Sequence, residues 1–395
     1  MPALDQRRHL GAAPVPAEEL THVVRPVSLS RMLPATAYTS QDVLAWELEH
    51  FFARSWTCVG RAEEMAVGDQ RGVRAGNVGV LVTRGTDGQL RAFANLCRHR
   101  GHELLPAGDS ATGRAVTCPY HAWSYRLDGS LLAAPGFADG FAAGEHSLVA
   151  LPVQEWHGWV FVHGFGEAPP FAEHIGALDA VVAPYAPERL VGRARHEYVV
   201  VANWKVICEN YHECYHCPLI HPELCRVSPP DSGVNFDQPG AWVGGVMDLA
   251  EGAATMSLDG GSCASPLPGL AGRALRTVAY VGLFPNLLLS LHPDYVLTHL
   301  LEPLAPGRTR VTCDWYFAPE AVIGVGFDPA YAVEFWDRTN RQDWAACESV
   351  QRGIASPHFR PGPLTPSEDA VHRFVTMVAR GYLTGSDRAG AATPG

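Results

Sequence analysis

Histidine, cysteine and carboxylate side chains crowd into two stretches of this chain. Residues 203–222, Asn-Trp-Lys-Val-Ile-Cys-Glu-Asn-Tyr-His-Glu-Cys-Tyr-His-Cys-Pro-Leu-Ile-His-Pro, hold three histidines, two glutamates and three cysteines. Alone, this run fits either a metal site or a crowded core helix. Upstream, Cys97-Arg98-His99 and Cys118-Pro119-Tyr120-His121 form Cys-x-His and, eighteen residues later, Cys-x-x-His. A zinc finger pairs cysteine with cysteine and histidine with histidine in its two halves. Here each half supplies one of each, which suits a 2Fe–2S cluster with two thiolates on one iron and two imidazoles on the other. Zinc remains the competing reading of these four residues.

The elements that must carry these residues can be read from periodicity. Between about 57 and 165 the signals are short strands and turns: Val78–Val82, a turn at Thr86-Asp87-Gly88, Leu90–Ala94, then Ala122–Leu127 running into Asp128-Gly129, and Gly158–Val162. Both Cys/His pairs fall on loops of this all-β stretch. Ahead of it, Ser40 is a fair N-cap for an amphipathic helix through Val43, Leu44, Trp46, Leu48, Phe51 and Phe52. Glu197–Val201 reads as a strand leading into the 203–222 run, read as a helix. Residues 226–275 are rich in Gly, Pro and Ser and predict a long loop, functional or unstructured. Strands are expected at Thr277–Leu283, Leu287–His292, Tyr295–Leu301 and Val311–Phe317, with helices over 330–353 and Ser367–Tyr382, the last capped by Ser367. This order suits an α+β domain in which one antiparallel sheet grips a long helix.

Together, the two clusters resemble the catalytic (alpha) subunit of a Rieske non-haem iron oxygenase, over roughly residues 35–385. His99-Arg100-Gly101-His102 and Pro119-Tyr120-His121-Ala122-Trp123-Ser124-Tyr125 repeat that family's pattern, with Gly101 allowing a tight loop. The resemblance implies that Cys97, His99, Cys118 and His121 hold the Rieske 2Fe–2S cluster, with His102 outside the ligand pattern. It also implies a mononuclear Fe(II) bound by two histidines and a carboxylate, leaving positions for O2 as co-substrate. His216 and His221 take the histidine places. They lie five residues apart, about 140° on a straight helix, so Pro218 must end or kink the helix for both to meet one metal. Asp343, in Asn340-Arg341-Gln342-Asp343-Trp344, takes the carboxylate place, with Asp337 and Glu348 as rivals. Glu213, three residues from His216 and on the same face if the run is helical, matches the acidic residue that bridges a cluster-ligand histidine of a neighbouring subunit to the catalytic histidine. Asn210 sits where the family keeps a polar residue near the iron. His212, Cys208, Cys214 and Cys217 read as structural or packing residues.

Glu-Cys-Tyr-His-Cys, Val-Gln-Arg-Gly-Ile and the spacing to Gly362 and Leu364 are similar to the branch acting on glycine betaine, carnitine and stachydrine. That likeness implies oxidative N-demethylation or C–H hydroxylation of a quaternary ammonium or betaine-like molecule. Hydroxylation of an aromatic or natural-product substrate is the alternative, and a non-catalytic Rieske electron carrier is disfavoured by chain length. Trp204, Tyr211, Trp242, Phe284 and Tyr295 are candidates for an aromatic cage around a cation, each competing with plain core packing. The family implies an NAD(P)H-dependent flavin/iron–sulfur reductase as partner, with or without a ferredoxin, and a homotrimer.

Composition sets the outer bounds. The 395 residues suit two domains, 47% hydrophobic content supports real cores, and a net charge of −11 without a Lys/Arg run argues against a nucleic-acid surface. Ten scattered cysteines do not make a secreted disulfide framework, no apolar run reaches bilayer length, and the first residues lack a signal-peptide core, so a cytoplasmic protein with no membrane partner is expected. The expected organisation is an N-terminal arm over 1–36, a helix over 37–56 packing on the catalytic domain, an all-β Rieske domain over 57–165, a helix-grip catalytic domain over 166–385 and a flexible tail over 386–395.

Overall fold

The computed structural model describes residues 11–137 and 141–385, so the tail expected over 386–395 and the first ten residues of the arm lie outside the described residues. The chain divides into two compact units, Glu47–Phe171 and a second assembled from Met1–Trp46 with Ala172–Gly395. One division falls inside the helical run that begins at Gln41. Ser40 does cap that run, its Oγ accepting from Val43 N at 3.3 Å, and the helix Gln41–Glu47 continues as wider turns over Leu48–Ala53.

Glu47–Phe171 is built of antiparallel strands. A five-stranded sheet runs in the order Ser110–Thr112, Asp69–Ala75, Val78–Arg84, Leu90–Ala94, Ala150–Leu151, and two three-stranded sheets complete the unit. Alternation along Val78–Arg84 sends Val80 and Val82 into one apolar cluster and Leu81 into another. The second cluster also takes Phe93, Trp123, Tyr125, Cys97 and Cys118, so both cysteines are rooted in a core.

The other unit holds a seven-stranded antiparallel sheet, ordered Val191–Val200, Arg308–Phe317, Tyr295–Ala305, Leu287–Leu291, Thr277–Leu283, Trp242–Asp248, Val234–Asn235. The last two strands correct the expectation of a structureless 226–275 loop. Trp242–Asp248 pairs with Thr277–Leu283 along its whole length. Its glycines weaken the strand signal but serve the pairing: a Cβ on Gly244 would stand 2.3 Å from the Tyr280 carbonyl oxygen.

Four helices of this unit bear on the site described below. α1 is Trp204–Tyr211, α2 Cys217–Ile220, α3 Ala330–Ile354 and α4 Asp369–Thr384. α1 starts where Asn203 Oδ1 accepts from Lys205 N at 3.0 Å, and Asn203 Nδ2 donates to Pro306 O and Tyr38 O. α3 carries Trp336, Asn340, Asp343 and Cys347 at helical spacing on one stripe. α4 is preceded by a short 3₁₀ turn with a capping box between Thr365 and Glu368, so Thr365 rather than Ser367 is the cap. Residues 11–39 are tied to the rest of this unit: Ala13 N donates to Tyr382 O, Met32 N to Gly362 O, and the Tyr38 hydroxyl to Glu209 Oε1 at 2.7 Å.

Burial raises the Glu209 carboxyl from 4.5 to about 7, against the opposing effects of the Tyr38 hydrogen bond and Lys205. The folded chain therefore holds this proton more tightly than the unfolded chain. The resulting stability is full below about pH 4.5 and is lost as pH rises through about 7. Glu209→Gln, which still accepts from Tyr38, is expected to flatten that part of a Tm-versus-pH curve. Equal slopes for the two proteins would refute the assignment.

Candidate metal centres

The four Cys/His residues sit on two loops closed in the same way. Cys97 N donates to His102 O and Gly101 N to Cys97 O; Cys118 N donates to Trp123 O and Ala122 N to Cys118 O. The fifth residue of each loop has positive φ, +73° at Gly101 and +57° at Ala122. That conformation costs a residue with a Cβ about 1–2 kcal/mol, so Ala122 holds it against strain. The two knuckles bring the His99 and His121 rings to 4.8 Å, and Trp123 stacks on His99 at 5.0 Å. Cys97 and Cys118 are buried, unpaired and within interaction range of each other.

These residues fit a 2Fe–2S cluster. His99 Nδ1 is buried without a hydrogen-bond partner, and such an atom costs roughly 1–3 kcal/mol unless something is bound to it. Burial, with His121 and Arg100 nearby, lowers the His99 pKa toward the neutral form that a ligand needs. His102 is exposed, its Nδ1 on Glu103 O at 2.5 Å, apart from the ligand set.

Tyr125 was not singled out from sequence as a working residue. Its hydroxyl accepts from Arg98 N at 2.9 Å and lies 3.3 Å from Cys97 Sγ, so its one proton is directed at the sulfur. A donor to a ligand sulfur stabilises the reduced, more negative cluster. Tyr125→Phe should lower the midpoint potential, by roughly 40 mV for each kcal/mol by which that bond favours the reduced form, with cluster content unchanged. An unaltered potential in a redox titration would exclude this role.

The second site corrects the local structure expected for residues 203–222. α1 ends at Tyr211, so Glu213 and His216 do not share a helix face. Glu213 instead folds back over a turn: its Oε2 accepts from the backbone N–H groups of Tyr215 and His216, and its Oε1 lies 2.5 Å from His216 Nδ1. Pro218 occupies the first turn of α2, where a missing N–H does no harm, rather than ending a helix. Cys214 and Cys217, read as packing residues, form a disulfide across this turn with Cα atoms 4.9 Å apart. Only Tyr215 and His216 separate them, and the tight turn brings the two sulfurs together. Cys208 is buried in α1 as a packing residue.

The turn delivers His216 and His221 to one point. Their Nε2 atoms are 3.1 Å apart, and Asp343 Oδ1 lies 3.3 Å from the first and 2.8 Å from the second. His216 Nδ1 is held by Glu213 and His221 Nδ1 by Gln342 Oε1 at 2.7 Å. Both Nδ1 atoms therefore carry the donated proton, leaving the Nε2 lone pairs facing each other and the carboxylate. Such a group repels itself unless a proton or a metal cation sits inside it. Burial would lower the His216 pKa, but hydrogen bonds accepted by Asp343 and Glu213 outweigh it and raise the value to about 9. Burial would raise Asp343, but His216 and His221 hold it below the usual carboxylate range. Two imidazoles and one carboxylate within 4.8 Å of one another fit an Fe(II) with open positions.

The rival carboxylates are engaged elsewhere. Asp337 takes the Tyr198 hydroxyl at 2.6 Å and Arg341, and Glu348 accepts from Val201 N. Asn210 is half-buried on the last turn of α1. His212 is buried, its pKa pushed down to about 3 by burial, in keeping with a structural role.

The five cage candidates separate into different neighbourhoods. Trp204 packs edge-on against Phe284 and Phe374, and Trp242 packs against Phe236 with its Nε1 on Pro239 O. Trp204, Trp242 and Phe284 are buried in these packings. Tyr211 and Tyr295 belong to an aromatic group between the sheet and α3, through Tyr280, His292, His299 and Trp336. Gln342, His292 and His299 escaped sequence reading. A histidine inside an otherwise apolar buried strand, His299, and another just past the end of one, His292, were the available signal.

Residues 187–384 match the family model described as the ring hydroxylating alpha subunit (catalytic domain), and residues 55–151 match the Rieske 2Fe–2S domain. The glycine betaine monooxygenase oxygenase subunit of Chromohalobacter salexigens is 32% identical over 362 residues, covering 84% of this chain and 81% of that one. The carnitine monooxygenase oxygenase subunit of Escherichia coli K12 is 40% identical over 196 residues, covering 48% and 52%. The crystal structure of the quaternary ammonium Rieske monooxygenase CntA with L-carnitine superposes with a TM-score of 0.73 at 26% identity, covering 93% of this chain and 99% of that one.

Proposed function

The chain belongs to the Rieske non-haem iron oxygenases as a ring-hydroxylating alpha subunit, and from that membership we propose that it oxidises a quaternary ammonium or betaine-like small molecule, by N-demethylation or C–H hydroxylation. It is an oxidoreductase that carries a Rieske cluster and a mononuclear iron and depends on a reductase partner. Among the described residues no helix is long and apolar enough to cross a membrane.

The single observation that carries the catalytic reading is the convergence of His216, His221 and Asp343 on one point. When bound, the cluster supplies single electrons and the mononuclear iron activates O2. The chain's own residues set the conditions. Glu213 and Gln342 fix the tautomers of the two histidines, and α3 holds the carboxylate opposite them. Tyr211, whose ring packs on His299 between the sheet and α3, is the cage candidate assigned to the cationic nitrogen, a contact worth up to about 2 kcal/mol when desolvated.

We read Glu213 as the bridge from a neighbouring subunit's cluster histidine to His216, within a homotrimer. In support, Tyr215 and Leu219 stand 66% and 92% exposed on the same loop, apolar surface that an adjoining subunit would cover. The electron donor in this reading is an NAD(P)H-dependent flavin/iron–sulfur reductase.

Hydroxylating an N-methyl carbon gives a hemiaminal that breaks its C–N bond to release formaldehyde. Purified holoenzyme with a reductase and NAD(P)H is expected to release formaldehyde or a hydroxylated product from at least one of glycine betaine, carnitine, proline betaine and choline. Oxygen uptake with none of them, alongside turnover of an aromatic substrate, would overturn the substrate class while leaving the oxygenase.

A further inference from the structure

Three side chains near the mononuclear site, His292, His299 and the half-buried Tyr280, have buried polar atoms without partners. His292 is fully buried and neither ring nitrogen has a hydrogen-bond partner. The Tyr280 hydroxyl and His299 Nδ1 are likewise unpartnered. Each such atom carries a desolvation penalty that folding alone leaves uncompensated. The three are neighbours through shared rings: Tyr280 and His292 both pack on Trp336, at 6.2 and 5.4 Å, and Tyr211 packs on both Tyr280 and His299.

Their place along α3 relates them to the iron ligands. Asp343, Asn340 and Trp336 follow one another on a single stripe of the helix. Asn340 Oδ1 accepts from His299 Nε2 at 3.0 Å, one turn from Asp343. Trp336, beside His292 and Tyr280, is two turns away, on the order of 10 Å along the axis. A small molecule reacting at the His216–His221–Asp343 point would extend its far end along this stripe.

The chemistry of the unpartnered atoms restricts that far end. His299 gives its Nε2 proton to Asn340, so its Nδ1 presents only a lone pair. Burial holds His292 and His299 in the neutral form, so each ring has a single N–H. The ionisable carboxyls beside the group are Asp343 and Asp294, the latter next to Tyr295. The buried cationic side chains among the described residues are Arg61, in the other unit, and Lys205, which lies under the Tyr38 and Trp204 rings. A substrate carboxylate here would meet acidic neighbours, would leave the His299 lone pair unpaired, and would bring a charge with no buried counter-ion. An alcohol or amide both donates and accepts, and would satisfy the set.

We propose that His292, Tyr280 and His299 form a specificity pocket for an uncharged hydroxyl or amide tail, so that the chain selects N-methylammonium compounds with neutral polar ends over carboxylated betaines. This rests on the quaternary ammonium reading above and narrows it.

The test is anaerobic calorimetric titration of the holoenzyme with matched pairs, choline against glycine betaine and carnitinamide against carnitine. The neutral member of each pair is expected to bind about tenfold more tightly, the difference of one well-placed hydrogen-bonded group. His292→Phe should reduce that preference to less than about threefold and leave tetramethylammonium binding unchanged. Tyr280→Phe, which removes only the hydroxyl, should lower it in the same direction and decides the matter if the histidine variant does not fold. Equal or tighter binding of the carboxylates, or an undiminished preference in a folded variant, overturns the proposal and leaves the quaternary ammonium reading standing. Failure of every member, tetramethylammonium included, to bind overturns both.

Discussion

Replacing Asp343 by alanine is expected to remove about one third of the bound iron, the mononuclear atom, and leave the cluster in place. Asp343 is the one anionic donor at a point otherwise made of two imidazoles, 2.8 Å from His221 and 3.3 Å from His216. Without it the two Nε2 atoms face each other with no negative charge to hold a dication. Loss of a residue that merely orients a ligand typically costs 10–100-fold in metal affinity or activity, so loss of a ligand should lower turnover by more than about 100-fold. The fold should tolerate the change, because Asp343 lies within a 25-residue helix and alanine is the best helix former. Metal analysis, the visible spectrum of the cluster and product formation read the three parts separately. Asp337→Ala and Glu348→Ala, whose carboxylates serve Tyr198, Arg341 and the Val201 backbone, should keep the iron. Full iron content in the Asp343 variant would remove this residue from the site.

Glu213→Gln should separate metal binding from electron delivery. The glutamine retains the reach and one carbonyl oxygen, so it can still accept from His216 Nδ1 or from the turn's backbone N–H groups, though one of the present acceptor oxygens becomes a donor. It loses the charge that helps hold His216 protonated at Nδ1 and, in the bridging role proposed above, the anion shared with a neighbouring subunit's histidine. Steady-state turnover is expected to fall roughly 10–100-fold. Both iron centres should remain loaded and the reductase should still reduce the cluster at the wild-type rate. In a single-turnover experiment with pre-reduced protein, cluster reoxidation in the presence of substrate and O2 should slow by a similar factor. If the variant instead loses its mononuclear iron, Glu213 acts by orienting His216. If cluster reoxidation keeps its wild-type rate, the bridging role is excluded.

Much of the ligand chemistry was legible in the residues themselves. Cys97, His99, Cys118 and His121 announce a mixed thiolate–imidazole shell through short spacings, because a tight loop needs only a few residues and the strands around it alternate with period two. His216 and His221 are local for the same reason, although the path between them was misjudged. A helix was expected where Glu213 caps a turn and Cys214 closes a disulfide with Cys217, since side-chain capping and cross-links compete with helix propensity in ways periodicity does not register. The strand Trp242–Asp248 was hidden by glycines that a neighbouring backbone requires.

Choices made across long separations belong to the tertiary structure. His221 and Asp343 are 122 positions apart, and the same helix carries the rival carboxylates Asp337 and Glu348. Only the stripe that α3 turns toward the sheet leaves Asp343 free for the histidines and commits Asp337 and Glu348 elsewhere. The same packing sorted Tyr211 and Tyr295 from Trp204, Trp242 and Phe284, and gathered Tyr280 and His299 from two strands and His292 from the turn between Leu287–Leu291 and Tyr295–Ala305. Residue type and short spacing state which chemistry a chain can perform. Which side chains share one volume depends on the facing of elements distant in sequence, and that is settled when their apolar faces are buried together.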